Sequence, residues 1–367
     1  MSSPLVAIIA DDLTGALDAS APFAECGFST CVAANPTFLK EVINSDAQVI
    51  AVNTCSRHSM PRQAADVVEN VAQHLKAHPN AILFKKIDSR LKGHIAAELE
   101  AALDGLGIGK AVICPAIPDM GRFVAGGKVQ GSGIPEDLTI VSVLGSVAGH
   151  CRISDAGTQA DMDGIAKQVL ASHAPILAVG ARGLAWAFAR CLATQNPGAQ
   201  SLRSPFSLPR PIFFGIGSRD PITLTQVTTL KSALAPMTVE APDGKMGHPD
   251  SLGGIGMAMF LMVEGAAMRS PVEAAQNFAE GFAEEVRRHC PRALVLSGGD
   301  TASAVLEELG VGVLRVAGEV LPGLPLCHAD LYGDEITLVT KSGGFGDPET
   351  LLRLAALDYG SRVSGGG

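Results

Sequence analysis

The sequence predicts an α/β protein with two domains, each built on a mainly parallel sheet. Short apolar segments alternate along the chain with longer segments whose apolar residues recur at helical spacing. Such alternation is typical of parallel sheets covered by helices. The 367 residues correspond to about two domains, and a segment rich in Pro, Ser and Gly separates two alternating halves. We therefore predict one domain at 1–200, a linker at 201–210 and a second domain at 211–367.

The composition excludes several classes of protein. The formal net charge is −9 with no basic run, so nucleic acid is not expected as a partner. None of the eight cysteines forms a CxxC pair, which indicates free thiols. The most apolar run, 256–263, is too short to span a bilayer, and the N-terminus lacks the features of a signal peptide. These features predict a cytoplasmic protein without a membrane partner.

The first strand is the apolar segment 5–10, which leads directly into Asp11 and Asp12. Thr14 and Gly15 follow, and then an apolar-periodic segment, so the pattern is strand, turn and helix. Parallel sheets bind ligands where a strand ends and a helix begins. Either Asp12 or Thr14 could cap the helix. A cap does not require two adjacent acids, so Thr14 is the better cap candidate and the aspartates are predicted to face a ligand.

The next strands of the first half also end in polar residues. Strands are predicted at 30–33, 48–53, 81–84 and 110–114, and the first half closes with a glycine-rich hairpin or lid (123–160), a strand (176–179) and a helix (181–192). The charged and hydroxyl residues after these strands are Arg57, Lys85, Lys86, Asp88, Ser89, Arg90, Lys92 and Arg122. Acids suit sugar hydroxyls and cations suit a carboxylate or phosphate. The group predicts a site for a small, polyhydroxylated anion, with Lys85 or Lys86 pointing away from it.

The second half repeats the pattern. A strand at 212–216 leads into Gly217, Ser218, Arg219 and Asp220, and Pro221 suits the first position of a helix. The remaining elements are predicted as strands at 256–263, 293–296, 313–316 and 335–339, with helices at 271–290, from 302 to 309 and from 348.

Two glycine-rich turns in this half, Ser297–Ala302 and Lys341–Asp347, follow predicted strands. Glycine lets backbone N–H groups approach an anion, and a helix N-terminus adds partial positive charge. Lys341 would add a full charge, so the turns predict a phosphate cradle, although ordinary tight turns share the pattern. Neither a GxxxxGK[ST] loop nor a GxGxxG fingerprint after a first-domain strand occurs.

Taken together, these turns resemble the four-carbon acid sugar kinase family. The resembling segments lie in the family's order and span nearly the whole chain; they are Ala10–Ala16, Val52–His58, Lys85–Ser89, Pro115-Ala116 with Gly121-Arg122, Ser297–Ala302 and Lys341–Gly346. The resemblance implies two Rossmann-like three-layer domains with mainly parallel sheets and an active site in the interdomain cleft. It implies a carbohydrate-metabolism enzyme, a phosphotransferase that uses ATP and Mg²⁺ to phosphorylate an alcohol group of threonate, erythronate or 3-oxo-tetronate.

The resemblance also implies roles for individual residues. Asp12 and Asp300 are the catalytic candidates, near the transferred proton or Mg²⁺, and which one is the base stays open. The substrate-binding candidates are Asp11, Asp12, Arg57, Lys86, Asp88, Ser89, Lys92 and Arg122, with Arg57, Lys86 and Lys92 on the carboxylate and the aspartates on hydroxyls. The nucleotide-binding candidates are Ser218, Gly298, Gly299, Asp300, Thr301, Lys341, Gly343 and Gly344. The metal ligands are not identified, and a homodimer is left open.

The chain departs from the family pattern in two turns. Family members typically read Asp-Ser-Thr-Leu-Arg-Gly-Asn where this chain has Asp88 to His94, a change that adds Arg90 and a histidine. They read Gly-Ser-Cys-Ser where this chain has Gly217 to Asp220. These changes keep two alternatives open: a kinase of a different small hydroxy acid, and a sugar-acid sensor without catalytic activity.

Overall fold

The computed structural model describes residues 4–195, 206–247, 255–267 and 269–357. Contacts divide the chain into two units. The N-terminal unit comprises Met1–Leu202 together with Val313–Gly318, and the C-terminal unit comprises Arg203–Gly312 and Glu319–Gly367. Residues 201–205 of the predicted linker lie outside the described residues, whereas 206–210 are described as irregular backbone. The predicted α/β class and two-domain organisation are confirmed.

The N-terminal unit alternates strands and helices. Its strands are β1 (Val6–Ala10), β2 (Thr30–Ala33), β3 (Val49–Asn53), β4 (Ile82–Lys86), β5 (Ala111–Cys114), β6 (Arg122–Ala125), β7 (Lys128–Gly131), β8 (Leu138–Thr139), β9 (Cys151–Ile153) and β10 (Leu177–Gly180). Its helices are α1 (Leu13–Glu25), α2 (Leu39–Ile43), α3 (Pro61–Leu75), α4 (Ile95–Leu106), α5 (Gln159–Leu170) and α6 (Arg182–Gln195).

A parallel sheet organises this unit in the order β2-β3-β1-β4-β10-β5-β9. The last residue of β1, Ala10, pairs with Asn53 of β3 and with Lys86 of β4. Gly180 at the end of β10 pairs with Lys86 and with Cys114 of β5. Because these strands end in register, the polar turns that follow them lie along one edge. The predicted hairpin is observed as the small antiparallel sheet β6-β7-β8.

The C-terminal unit continues the chain with β11 (Ile212–Ile216), β12 (Met237–Pro242), β13 (Met257–Val263), β14 (Ala293–Ser297), β15 (Val313–Leu321), β16 (Leu324–Leu331) and β17 (Asp334–Lys341). Its helices are α7 (Pro221–Leu234), α8 (Pro271–His289), α9 (Gly299–Glu308) and α10 (Thr350–Ala356). Strands β12-β13-β11-β14-β17 are parallel, and β16 adds an antiparallel strand beside β17. Ile216, Ser297 and Lys341 pair in register, so their turns share one edge.

Strand β15 belongs to both units. Its first residues, Val313–Val316, pair antiparallel with β2, whereas Glu319 onward belongs to the C-terminal unit. Only residues 313–316 of this strand were predicted from the sequence, and β9, β12, β16, α2 and α5 were not predicted. Strand β12 is only partly buried and carries Thr238 and Glu240, so its sequence lacks the continuous apolar run by which the buried strands were recognised.

Helices cover the parallel sheets of both units, and the central strands are correspondingly apolar. Every residue of β1, β3, β11 and β14 is buried. Among the described residues, no helix combines the length and apolar character needed to cross a membrane.

The ion pair of Lys85 and Glu98 is buried within the N-terminal unit. Lys85, whose side chain is 1% exposed, places Nζ 2.7 Å from Glu98 Oε2 on α4 and donates to the carbonyl of Lys86. Ser56, after β3, donates a 2.6 Å hydrogen bond to the other oxygen of Glu98. The pair therefore ties β4 to α4 and to the turn after β3. Lys85 is the lysine that points away from the predicted ligand site.

Replacing Lys85 with Met should lower the free energy of unfolding by about 3–5 kcal/mol, because it leaves Glu98 charged, buried and unpaired. Replacing both residues, as Lys85→Met with Glu98→Leu, should recover most of that loss. Urea denaturation measures both variants.

The control is the exposed pair of Lys231 and Glu240, which are 3.8 Å apart. Lys231→Met should change the free energy of unfolding by less than about 1 kcal/mol. A Lys85→Met protein as stable as this control would show that the buried pair does not hold the turn.

Candidate functional site

The two acids after β1 have different local roles. Asp12 is the N-cap of α1: its backbone is extended, and its Oδ1 accepts a 2.6 Å hydrogen bond from the Gly15 amide. The prediction that Thr14 caps this helix was wrong. The helix begins at Leu13, so Thr14 already lies in its first turn, where its hydroxyl donates to Asp12 Oδ2 at 3.4 Å. The second oxygen of Asp12 points away from the helix amides.

Arg57 brings the three predicted aspartates together. Its Nη2 donates to Asp11 Oδ1 at 2.7 Å and its Nε donates to Asp11 Oδ2, which is a bidentate pair. Nη2 also lies 3.2 Å from Asp12 Oδ2, and Nη1 lies 3.8 Å from Asp88 Oδ2. Three carboxylates therefore surround one guanidinium, and the charge of Arg57 is neutralised inside the protein.

Backbone contacts fix this cluster. The amides of Ser56 and Arg57 both donate to the Asp11 carbonyl at 3.1 Å, which folds the turn after β3 over the end of β1. Cys55 adopts a left-handed backbone in that turn, with φ of 54°. Gly93 closes the cluster from the turn after β4, where a Cβ atom would lie 2.8 Å from Asp11 Oδ2. The sequence needs glycine at this position because Gly93 also has φ of +93°.

The same surroundings shift the pKa values of Asp11 and Asp12 in opposite directions. Burial raises the pKa of Asp12, and the opposing charge of Arg57 does not cancel that effect. Burial would also raise the pKa of Asp11, but the hydrogen bond from Arg57 and the charges of Lys85, Arg57 and Lys86 outweigh it, so that pKa is lowered. Asp11 is thus held as the anion, while Asp12 is the more readily protonated acid.

Lys86 stays beside the acids. Its side chain is buried, Nζ donates to the Ile87 carbonyl at 3.1 Å, and a Cβ atom on Gly15 would lie 3.3 Å from that nitrogen. Its charge lowers the pKa of both Asp11 and Asp12, as a smaller contribution than those of burial and Arg57. Lys86 is therefore placed at the N-terminus of α1, where a bound oxygen atom could accept from it.

The turn after β4 is folded around Asp88. Its Oδ1 accepts the backbone amides of Arg90 at 2.8 Å and Lys92 at 3.4 Å. Ser89 accepts a hydrogen bond from Arg122 Nη1. Lys92 is exposed, and its amide rather than its ammonium group contacts the cluster. The expected group is thus brought together except for the side chain of Lys92.

Three turns converge in the C-terminal unit. Gly217 packs against Thr301, and a Cβ atom on Gly298 would lie 3.2 Å from the Ser218 amide. Gly343 packs directly against Ser218 Oγ, leaving no room for a side chain. Gly298 also has φ of +107°, a conformation that favours glycine. The turns after β11, β14 and β17 therefore form one compact backbone surface, as the sequence predicts.

Lys341 does not present its charge on that surface. Its side chain is fully buried, and Nζ donates to Thr223 Oγ1 at 2.9 Å and to the carbonyls of Ser342, Gly343 and Phe345 at 3.0, 2.9 and 3.2 Å. An ammonium group has three hydrogens, so four protein acceptors leave none for a phosphate. Burial lowers the pKa of Lys341 to about 8, against the opposing charge of Asp220. The contacts therefore do not bear out the expected ammonium–phosphate contact.

Carboxylates also border this surface. Asp220 caps α7 through Oδ1, which accepts the Ile222 amide at 2.9 Å, and its Oδ2 lies 3.4 Å from the Cβ position of Gly344. Asp300 is exposed in the first turn of α9. Within the described ranges, no three His, Cys, Asp or Glu side chains are grouped so that they could hold a metal ion by themselves.

Sequence reasoning missed the residues that support these turns. Thr223 and Gln226 lie on the buried face of α7; Thr223 donates to the Gly343 carbonyl at 2.8 Å, and Gln226 Nε2 donates to the carbonyls of Phe345 and Asp347 at 3.0 and 2.9 Å. Two polar residues three positions apart on a buried helix face are a signal that could have identified them.

Comparison with known families gives two matches. Residues 6–142 match a sugar-binding N-terminal domain, and residues 263–351 match a nucleotide-binding C-terminal domain. The first match contains Arg57 and its three aspartates, and the second contains the two glycine-rich turns.

Two relatives align over nearly the whole chain, and a third aligns over part of it. A D-threonate kinase of Bordetella bronchiseptica is 30% identical, and the alignment covers 97% of this chain and 98% of that protein. A 3-oxo-tetronate kinase of Burkholderia multivorans is 27% identical over 94% of this chain and 95% of the relative. A D-erythronate kinase of Heliobacterium modesticaldum is 35% identical, but over 37% of this chain and 31% of its own length.

Solved structures share the fold. A DUF1537 protein of Haemophilus influenzae has a TM-score of 0.69 at 20% identity, covering 96% of this chain and all (100%) of that one. A Salmonella typhimurium protein described as a putative tRNA synthase has a TM-score of 0.73 at 19% identity, covering 95% and 98%. At such identity the likeness concerns the fold alone. The domain matches and the full-length relatives show that the chain belongs to the four-carbon acid sugar kinase family.

Proposed function

We propose that the protein transfers the γ-phosphoryl group of ATP to a hydroxyl of a four-carbon sugar acid. The observation that carries the proposal is the pair of adjacent aspartates whose pKa values are pushed apart around one arginine. Such a pair provides one acid that stays ionised and one that can exchange a proton. The kinases of threonate, erythronate and 3-oxo-tetronate among the relatives support this substrate class.

In the proposed reaction, Asp12 accepts the proton of the substrate hydroxyl. Its Oδ1 accepts the short hydrogen bond from the Gly15 amide, and its Oδ2, which has the longer contacts with Thr14 and Arg57, is the oxygen that we assign to the substrate. The substrate oxygen then forms a bond to the γ-phosphorus, the bond to the β,γ-bridging oxygen breaks, and ADP leaves with the electron pair. Lys86 would donate to a second substrate oxygen beside α1. Asp11 stays ionised and holds Arg57 in place, which keeps Asp12 fixed.

The glycine-rich turns would bind the nucleotide. The backbone amides of Gly299, Asp300 and Thr301 start α9, and those of Gly343 and Gly344 lie opposite Ser218. The Gly298 amide donates to the Lys341 carbonyl at 2.9 Å, so this glycine shapes the turn and is not assigned a phosphate contact. Amides at a helix N-terminus favour phosphate oxygens. Lys341, Thr223 and Gln226 would act indirectly, by holding the carbonyls of 342–347 inward. We propose this positioning role for Lys341 in place of a phosphate contact.

Mg²⁺ fits the carboxylates at this surface. Mg²⁺ in kinases is held by one or two carboxylates together with phosphate oxygens, so a site without three protein ligands is suitable. Asp220 offers Oδ2 next to Gly344, and Asp300 is the second candidate. When bound, the ion neutralises charge on the transferred phosphoryl group.

Other expectations remain predictions. They are the assignment of the sugar acid to the first domain and the nucleotide to the second, an active site in the interdomain cleft, a homodimer, a cytoplasmic location and the absence of a nucleic-acid partner. A sensor without catalytic activity is separated from the kinase by the assay below, because a sensor binds the sugar acid without releasing ADP. A different hydroxy acid substrate is tested by adding hydroxy acids of other chain lengths to the substrate panel below.

A coupled ADP-release assay tests the proposal. The purified protein with Mg-ATP should turn over at least one of D-threonate, L-threonate, D-erythronate, L-erythronate and the 3-oxo-tetronates, with kcat in the range of about 1–100 s⁻¹. Omitting the sugar acid should leave only background hydrolysis. Binding of sugar acids without any ADP release would refute the kinase and support the sensor.

Replacing Asp12 with Asn should lower kcat by about 100-fold or more, because the general base is lost. Asn is as good an N-cap as Asp, so the melting temperature should stay close to that of the wild type. The control Asp46→Asn removes an exposed carboxylate and should leave kcat unchanged. Wild-type rates in Asp12→Asn would remove Asp12 from the reaction.

The acid limb of the wild-type pH profile checks the same assignment. The base must be ionised, so kcat/KM should fall as pH decreases through a pKa above the ordinary 3.8 of an aspartate. Asp11 has a lowered pKa and remains ionised over that range. A limb at or below 3.8 would contradict the assignment of Asp12.

Replacing Asp220 with Asn should weaken the binding of Mg-ATP by about tenfold while leaving the α7 cap intact. Calorimetry with ATP in EDTA provides the contrast: without the ion, removing a carboxylate near the phosphates should leave binding equal or tighter. An equal loss of affinity with and without Mg²⁺ would show that Asp220 is not a metal ligand.

A further inference from the structure

Two arginines from different turns meet at Gly133. A Cβ atom on Gly133 would lie 2.8 Å from Arg90 Nη2 and 3.3 Å from Arg122 Nη2. Arg90 belongs to the turn after β4, and Arg122 is the first residue of β6. Gly133 has φ of +70° and lies just after β7. The absence of a side chain at Gly133 lets both guanidinium groups approach the same point.

The two arginines are held differently. Arg122 is 6% exposed; its Nη1 donates to Ser89 Oγ, and its Nε and Nη2 donate to the Ser132 carbonyl at 3.2 and 3.0 Å. These bonds use three of its five N–H groups and fix the plane of the guanidinium. Arg90 is exposed and fixed through its backbone amide, which donates to Asp88. The result is one rigid and one adjustable cation side by side.

No carboxylate within the described ranges makes an ion pair with either arginine. The nearest acid is Asp88, whose Oδ1 accepts backbone amides and whose Oδ2 lies 3.8 Å from Arg57. Burial and the charge of Arg90 lower the pKa of Arg122, against the opposing charge of Asp88. A bound anion would relieve this repulsion between like charges.

Arg57 is a poor candidate for the same ligand. Its guanidinium already faces Asp11, Asp12 and Asp88, and a substrate carboxylate there would add a fourth negative charge. The sequence-based expectation that Arg57 binds the substrate carboxylate, together with Lys86 and Lys92, is disfavoured by these contacts of Arg57. The anionic end of the substrate therefore requires other cations.

We propose that Arg90 and Arg122 bind the carboxylate of the sugar acid, and that this pair makes the protein selective for acids over neutral polyols. The proposal rests on the proposed function for the identity of the acid. Planar guanidinium groups match a carboxylate with paired N–H donors. Asp88 connects the two groups, because its Oδ2 lies 3.8 Å from Arg57 and its Oδ1 accepts the Arg90 amide.

Calorimetric titration without nucleotide tests the pair. The ligand panel is D-threonate, D-erythronate, 3-oxo-tetronate and the neutral polyol threitol; the proteins are the wild type, Arg90→Gln and the matched control Arg152→Gln. Arg152 is exposed on β9 and donates to Gln168, so its replacement removes the same charge elsewhere. For an acid that binds the wild type, Arg90→Gln should raise the dissociation constant by about tenfold or more. Arg152→Gln should leave that dissociation constant unchanged.

A second variant tests the geometry without removing a charge. Gly133→Ala keeps both arginines but places a methyl group against Arg90 Nη2, so it should also weaken the binding of the sugar acid. Circular dichroism checks that this exposed turn still folds. Threitol should bind the wild type much more weakly than the acids, and Arg90→Gln should not weaken it further.

The proposal is overturned if Arg90→Gln binds the acid as tightly as Arg152→Gln, if threitol binds the wild type as well as the acids do, or if no acid of the panel binds. The kinase is judged separately by ADP release. An acid whose binding depends on Arg90 but which is never phosphorylated would refute the kinase and leave the carboxylate site standing.

Discussion

The candidate site depends on one set of interactions, the ion pairs of Arg57 with Asp11, Asp12 and Asp88. Asp11 and Asp12 follow β1 and Asp88 follows β4, and the register of these strands with β3 brings Arg57 to the same edge. Three acids this close would repel one another without the guanidinium. Because Arg57 binds Asp11 through two hydrogen bonds, its charge is balanced by the protein's own carboxylates and is not left for a ligand. That constraint decides which cations remain for the substrate.

Lysines at strand ends perform a related task in both units. Lys85, Lys86 and Lys341 are buried, and the Nζ of each donates to the carbonyl of the following residue. Each ammonium therefore holds the first peptide of the turn that leaves the sheet. Burying a charge is unfavourable unless it is well paired. A buried lysine that donates to the next carbonyl is therefore expected where the backbone of a turn is held in one conformation. The turns after β4 and β17, which these lysines hold, are among those that we propose to contact the substrates.

Much of the fold could be predicted from the sequence, because apolar runs that end in Gly, Asp and Lys are local signals. The candidate acids and glycine-rich turns were found in the same way. The partners of a polar side chain could not be predicted. The sequence makes Lys341 a candidate phosphate ligand, but in the structure its Nζ has four protein acceptors. The sequence makes Thr14 a candidate cap, but the helix begins at Leu13 and is capped by Asp12. The meeting of Arg90 and Arg122 at Gly133 depends on a hairpin whose exact register has no local signature.

The most direct test of this account is a crystal structure with a bound sugar acid and a non-hydrolysable ATP analogue. The account predicts that Arg57 keeps both hydrogen bonds to Asp11 while a substrate hydroxyl contacts Asp12 Oδ2. A structure in which Arg57 has left Asp11 to bind the substrate carboxylate would contradict it.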